Sequence, residues 1–186
     1  LSGTRRKSAT LSRLRRRGLV VFAGFTPTDA AHVLRQHTPW SINAADLAAA
    51  LMARQKTARG EPIASNAKTF ASIVHAKLIR RSAEALLSAS LENDGIQVLD
   101  VESDPLIQAA FASRGKATTL KVGLQSRLIG LGASASLYYP EIAEFLDTRC
   151  EVAPDADVAN AIGAVVGQVK LSVEATVSMP TEGRFQ

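Results

Sequence analysis

Cysteine is almost absent from this chain. Cys150 stands alone among 186 residues, which excludes an internal disulfide and any zinc cluster built on cysteines. A reducing, cytoplasmic setting is the expectation that follows. No run of about 18 apolar residues occurs, so no membrane-spanning helix is expected. The basic start of the chain has no apolar stretch behind it of the kind a secretory signal carries. Internal repeats and low-complexity segments are missing, as is any nucleophile–base constellation. Acidic residues are absent from the first 17 positions, which hold Arg5, Arg6, Lys7, Arg13, Arg15, Arg16 and Arg17. Removing those seven from the 22 basic residues leaves 15 against 17 acids, so the net charge of +5 becomes −2 over the remainder. Such a run reads as a nucleic-acid or phosphate contact, as a solvated helix, or as a face against a missing acidic domain. No aromatic residue lies within it to stack on a base, which makes nucleic acid the less favoured partner.

What is present fits one domain with a sizeable core. Hydrophobic residues make up 46% and charged residues 21%, the balance of an ordinary soluble globular protein. The chain starts at Leu1 rather than Met, and it ends after a strand-like run without a stop signal. It therefore reads as a piece of a longer protein.

The pattern divides the chain into a basic helical lead-in over 1–17, a mainly helical segment over 18–95 and an α/β segment over 96–186. The lead-in ends at Gly18, a residue suited to a helix C-terminus. Leu19 to Ala23 reads as a buried strand. Thr26-Pro27-Thr28-Asp29 is a helix start, with Thr26 as cap, Pro27 in the first turn and Asp29 closing a capping box. Ser41 to Arg59 reads as a helix whose Leu47, Ala48, Leu51 and Met52 share a face. Gly60-Glu61-Pro62 interrupts. From Ile63 to Leu91 a long helix is predicted, with Phe70, Ile73, Val74 and Leu78 at helical spacing, ended by Asn93-Asp94-Gly95. Strands are predicted at Ile96–Val101, Thr118–Leu124, Arg127–Leu131, Arg149–Val152 and Val169–Val177. Helices are predicted at Asp104–Ser113, Leu137–Leu146 and Asp157–Val166.

Two segments in the last third carry chemistry. Gly130-Leu131-Gly132-Ala133-Ser134-Ala135 fits G-x-G-x-x-A between a strand and a helix, and Glu151 lies 21 residues after Gly130. That is the layout of a dinucleotide fingerprint, in which the acid binds ribose hydroxyls. The same turn also serves helix–strand packing alone. In the second segment, the helix after Asp157 carries Ala159, Asn160, Gly163, Ala164 and Gly167. Glycine inside a helix costs up to about 1 kcal/mol relative to alanine. A stripe without side chains therefore implies the approach of another helix or of a ligand.

Together these segments resemble the nucleotide-binding half of the actin, hexokinase and heat-shock-70 ATPase superfamily. There a strand and glycine-rich turn lie against adenosine, and a later helix of the pattern P-x-x-acid-x-x-A-x-G-A packs nearby. Pro154, Asp157, Ala161, Gly163 and Ala164 stand in about those places. Gly24-Phe25-Thr26-Pro27-Thr28-Asp29-Ala30-Ala31-His32-Val33-Leu34 is similar to the T-D-A-x-x-V-L-G segment of the hydantoinase A/oxoprolinase family. Ile129–Pro140 and Val152–Gly167 resemble that family's C-terminal nucleotide region. The resemblance runs over about residues 18–178, with the three segments in the family's order. Arg35 replaces the usual glycine after V-L, and Ala31 replaces a frequent asparagine. The family's phosphate loop, D-x-G-G-T, does not occur in this sequence.

The resemblance implies an α/β fold of the actin-like ATPase (ribonuclease H-like) type, with a mainly helical first half or insertion. It implies ATP and Mg²⁺ as cofactors and the ATP-dependent opening of a cyclic amide, as in N-methylhydantoin or 5-oxoproline hydrolysis. The implied partners are the cyclic amide, the missing phosphate-loop part of the same protein and a hydantoinase B-type subunit, with no membrane. Gly130, Gly132, Ala133, Ser134, Asn160 and Gly163 become the adenosine-side residues, and Asp29 an acid at the cleft that holds Mg²⁺ or orients substrate. A capping role explains Asp29 as well. His32, three residues on, shares Asp29's helical face and so is a candidate to share its metal or proton. Ser134 alternatively caps the following helix, and Asp157 reads as a helix-start acid. His37, His75 and Trp40 show no partner pattern. Arg149 beside Cys150 would lower the thiol pKa, although a strand position suggests inert core. A dinucleotide-binding module and a non-catalytic assembly domain remain the alternative readings.

Overall fold

The structure, a computed structural model, describes residues 2–21, 24–98, 100–112 and 117–167, with side chains from Ala9 onward. Helices α1 (Ser2–Arg16), α2 (Pro27–Val33), α3 (Ile42–Ala53), α4 (Ala67–Asn93) and α5 (Pro105–Phe111) come first. Strand β1 (Leu128–Gly130), helix α6 (Ala135–Phe145), strand β2 (Cys150–Val152), a 3₁₀ turn (Ala156–Val158) and helix α7 (Ala159–Val166) follow. The described residues are thus mainly helical, with one small parallel sheet. The α/β character is confined to β1–α6–β2. There Leu128, Ile129 and Gly130 pair in register with Cys150, Glu151 and Val152. No helix among the described residues is long and apolar enough to cross a membrane.

Helix ends follow from local chemistry. Thr26 caps α2, and Asp29 closes the capping box from the third helical position. Ser41, Asn66 and Asp104 cap α3, α4 and α5 with side-chain oxygens. Gly18 and Gly95 end α1 and α4 in the left-handed conformation, each with paired backbone bonds back into the last turn. Helix α2 ends the same way on Arg35, whose φ is 64°. The Arg35 amide donates to the His32 carbonyl at 3.1 Å and the Gln36 amide to the Ala31 carbonyl at 2.9 Å.

Helix α4 is the spine. Its buried Ala71, His75, Ile79, Ala83 and Leu87 repeat every four residues and drift around the helix, so one helix serves three apolar clusters. The first cluster joins α4 to α2 and α3, the second to β1 and α6, and the third to Val101 and Ile107. Small residues set the first contact. Ala45, Ala49 and Ala53 of α3 are buried; of the expected face Met52 packs against this cluster, whereas Leu47 and Leu51 are 65% and 67% exposed. Alanines let α2, α3 and α4 approach closely, and leucines at those positions would hold them apart. Ile73 of α4 is likewise exposed, while Phe70 is buried as expected.

Other expectations also need correction. Helix α3 stops at Ala53 rather than Arg59. The chain then doubles back, with the Ile63 amide bonded to the Gln55 carbonyl at 2.8 Å around Gly60. Residues 19–21 form no strand, and Leu19 and Val21 lie exposed with no partner strand among the described residues; Phe22 and Ala23 lie outside the described residues. Around Ile96–Val101 the described residues run as a loop, because Val98 and Val101 pack onto the end of α4 instead of onto a strand. The stretch 118–124 forms no strand among the described residues: the Leu124 amide bonds to the Leu146 carbonyl at 3.0 Å, and Val122 and Leu124 pack their side chains against the apolar clusters instead. The strand expected at Val169–Val177 and the helix end at Ser113 lie outside the described residues.

Candidate functional site

The glycine turn forms at the C-terminal end of β1. Gly130 is there for packing. A Cβ at this position would meet the Val152 side chain at 3.0 Å and Ala135 Cβ at 3.2 Å, so its absence lets α6 lie against both strands. Gly132 is there for conformation and space, with φ at 104° and nothing within 4 Å of an added Cβ. Its amide donates to the Ala156 carbonyl at 2.6 Å. That bond places the turn after β1 beside the 3₁₀ turn after β2. Ala133 and Ser134 are exposed, and Ser134 makes no side-chain cap to α6, so the capping alternative fails.

The second expected segment follows at once. On α7, Asn160 and Gly163 are exposed, and nothing lies within 4 Å of a Cβ added at Gly163. No residue of α7 is buried, and Ile162, Val165 and Val166 face outward. The stripe therefore does not receive another helix among the described residues. The glycine turn and the 3₁₀ turn that leads into α7 follow the carboxyl ends of two parallel strands, which is where open α/β sheets bind ligands.

Glu151 departs from the dinucleotide layout. It lies opposite Ile129 in the sheet, and its carboxylate accepts from Arg127 Nη1 at 2.7 Å. Cys150 is half-buried, and its thiol is raised by burial and by the neighbouring Glu151 charge, so the lowering expected from Arg149 is overturned.

Asp29 and His32 share a helix but not a site. Asp29 Oδ2 accepts from the Thr26 amide at 2.8 Å and the Thr26 hydroxyl at 2.7 Å. Oδ1 takes no part in the cap. His32 is 2% exposed. Its Nδ1 donates to the Thr28 carbonyl at 2.7 Å, and its Nε2 accepts the Trp40 amide at 3.3 Å. A carbonyl only accepts and an amide only donates, so the two contacts fix a neutral tautomer with no nitrogen left for a metal or proton. Among the described residues no three His, Cys, Asp or Glu side chains are grouped to hold a metal. Mg²⁺ needs fewer protein ligands when phosphates and waters complete its octahedron. Asp29 Oδ1 is compatible with that limited role.

The fold also assembles a polar group that residue spacing does not reveal. Helices α2, α4 and α6 bring together Thr28, Asp29, His75, Tyr138 and Glu141. His75 Nε2 lies 2.6 Å from Glu141 Oε2, while its buried Nδ1 has no partner among the described residues. The Tyr138 ring sits 5.9 Å from that of His75. Its buried hydroxyl has no partner in full hydrogen-bond geometry among the described residues. Burial raises the Tyr138 phenol above its ordinary value, the nearby Thr28 side chain draws it back, and the Asp29 charge adds to the rise. Helix α6 thus links both places. Its first turn packs on Gly130, and Tyr138 and Glu141 on its next turn face α2 and α4. The other residues without an expected pattern also have partners: His32, His37 and Trp40 form one aromatic group, with ring separations of 5.1 to 5.9 Å.

Comparison with known protein families, curated proteins and solved structures finds no match to this chain.

Proposed function

We propose that this chain supplies the adenosine side of the nucleotide site of an ATP-dependent cyclic-amide hydrolase of the hydantoinase/5-oxoprolinase type. One observation carries the reading. The Gly132 amide is bonded to the 3₁₀ turn that leads into the Gly163 helix, and among the described residues both glycines have open space where a side chain would be. A planar base can approach such a surface closely. The residues fit the adenosine half of ATP and not its phosphates, because the Gly132 amide is already bonded to Ala156 and the sequence has no D-x-G-G-T loop. When bound by the whole protein, ATP supplies phosphoryl transfer to the amide carbonyl oxygen, with Mg²⁺ spreading the developing charge.

Arg35 supports the family reading from a second direction. It occupies the position where the family carries glycine, and the backbone there is left-handed, at φ 64°. Asp29, next to Tyr138 across the α2–α6 contact, is the acid assigned to the substrate side. His32 stands outside that assignment, since both its nitrogens hold the α2 fold.

The fingerprint geometry of Gly130 and Ala135 favours a second reading, a dinucleotide module. Titration of the protein with ADP and NAD, repeated with Glu151→Gln, separates the two. The adenosine reading predicts equal binding of ADP and NAD through their common adenosine, with no dependence on Glu151. Tighter NAD binding that is lost in Glu151→Gln would establish the dinucleotide reading instead.

A further inference from the structure

We propose that α1 docks on the sugar–phosphate backbone of a nucleic-acid duplex. The inference does not rest on the nucleotide reading. Helix α1 lies outside the apolar clusters as far as its side chains are described: among the described residues none before Phe25 belongs to them. Its last turn carries Arg13, Arg15 and Arg16, and its first turn carries no acid. At 100° per residue, Arg5, Arg6, Arg13 and Arg16 fall within about 100° of one another, and Arg17 continues the stripe. Leu11 and Leu14 fall on the opposite side. Arg13, Arg16 and Arg17 are exposed. The positions from Arg5 to Arg16 span about 16 Å, the length over which a duplex presents roughly ten phosphates.

The composition of the stripe chooses among polyanions. Six of the seven cations in residues 1–17 are arginines, whose planar fork pairs phosphate with two parallel hydrogen bonds. Two leucines are too small an apolar face to enter a bilayer. The helix has arginine but none of the Trp or Tyr that, with arginine, anchor protein–protein contacts. The missing aromatics argue against base stacking on single strands, but a duplex backbone needs none. The occupant that matches is therefore a duplex read through charge rather than sequence.

The test is fluorescence anisotropy with a labelled 20-base-pair DNA duplex and an RNA duplex of the same length, over a salt series. Binding of either duplex, with log K falling by about 4 per decade of salt, is expected when four or five phosphates are neutralised. The triple variant Arg13→Glu, Arg16→Glu, Arg17→Glu should lose at least tenfold in affinity and about half the salt slope. Its circular dichroism should keep the spectrum of the α2–α6 body. The variant Arg54→Glu, Arg59→Glu, Lys121→Glu changes charge equally elsewhere and should shift affinity less than threefold. An equal loss in both variants would overturn the proposal, as would tighter binding to single strands, to vesicles rich in anionic lipid, or to polyglutamate.

Discussion

Gly163→Ala separates a packing role from a ligand role more sharply than any other single change. An added Cβ meets nothing within 4 Å, so no neighbour has to move. Gly163 sits inside α7, three residues before its end at Val166, with its carbonyl accepting the Gly167 amide at 2.8 Å. Replacing a helix-interior glycine with alanine should then stabilise the fold by ~0.5–1 kcal/mol through the lost backbone entropy alone. For a domain of this size that raises Tm by about 2–3 °C. Gly163→Leu keeps much of this gain, because leucine is a good helix former, yet it fills the space assigned to the base. Its adenosine-diphosphate affinity should fall at least tenfold, or ~1.4 kcal/mol. Thermal unfolding with calorimetric ADP titration reads both effects. Destabilisation by Gly163→Ala would mean that something already packs on the stripe. Unchanged ADP binding by Gly163→Leu would refute the placement of the base on α7.

Four further outcomes are expected. Arg35→Gly should stabilise the protein by ~0.5–1 kcal/mol in urea unfolding, since a side chain in the left-handed region costs about 1–2 kcal/mol and the exposed Arg35–Asp46 pair returns less. Asp29→Ala should cost ~1 kcal/mol by removing the capping box, whereas Asp29→Asn keeps an acceptor for the Thr26 amide and costs less; loss of hydrolysis in the whole protein with Asp29→Asn at near-normal stability would mark Asp29 as chemical rather than capping. For Tyr138, the raised phenol pKa favours the protonated form in the folded state. Its contribution is therefore complete below the ordinary value of 10.0 and lost as pH rises from there through the higher folded value. Urea midpoints measured on both sides of that value should fall for the native protein and fall less for Tyr138→Phe. Leu146→Ala, at the one large side chain that is wholly buried among the described residues, should cost ~2–5 kcal/mol in the same assay.

Short-range chemistry was legible along the sequence. The Thr26–Asp29 capping box, the Asp104-Pro105 start, the Gly18 and Gly95 ends and the strand–turn–helix around Gly130 all form as the residues dictate, because each depends on neighbours within a few positions. Packing faces were not. Leucine outranks alanine on any hydropathy scale, so Leu47 and Leu51 looked like core, but the contact of three helices selected Ala45, Ala49 and Ala53. Apolar runs at 19–23, 96–101 and 118–124 looked like strands, yet pairing requires a partner strand, and sequence periodicity does not supply one. The group formed by His75, Tyr138 and Glu141 was illegible for the same reason: His75 and Glu141 are 66 positions apart. One local signal did exist, the three-residue spacing of Tyr138 and Glu141, which puts them on one face of α6.

The central claim is that adenosine sits between the Gly132 turn and α7. Backbone amide NMR of the protein titrated with adenosine, AMP and ADP tests it most directly. The account predicts that the amides of Gly132 to Ser134 and Asn160 to Gly163 shift together. It also predicts affinities that hardly differ among the three ligands, because these residues hold the base and ribose and no phosphate. Absence of shifts in both segments, or affinity that climbs steeply with each added phosphate, would contradict it.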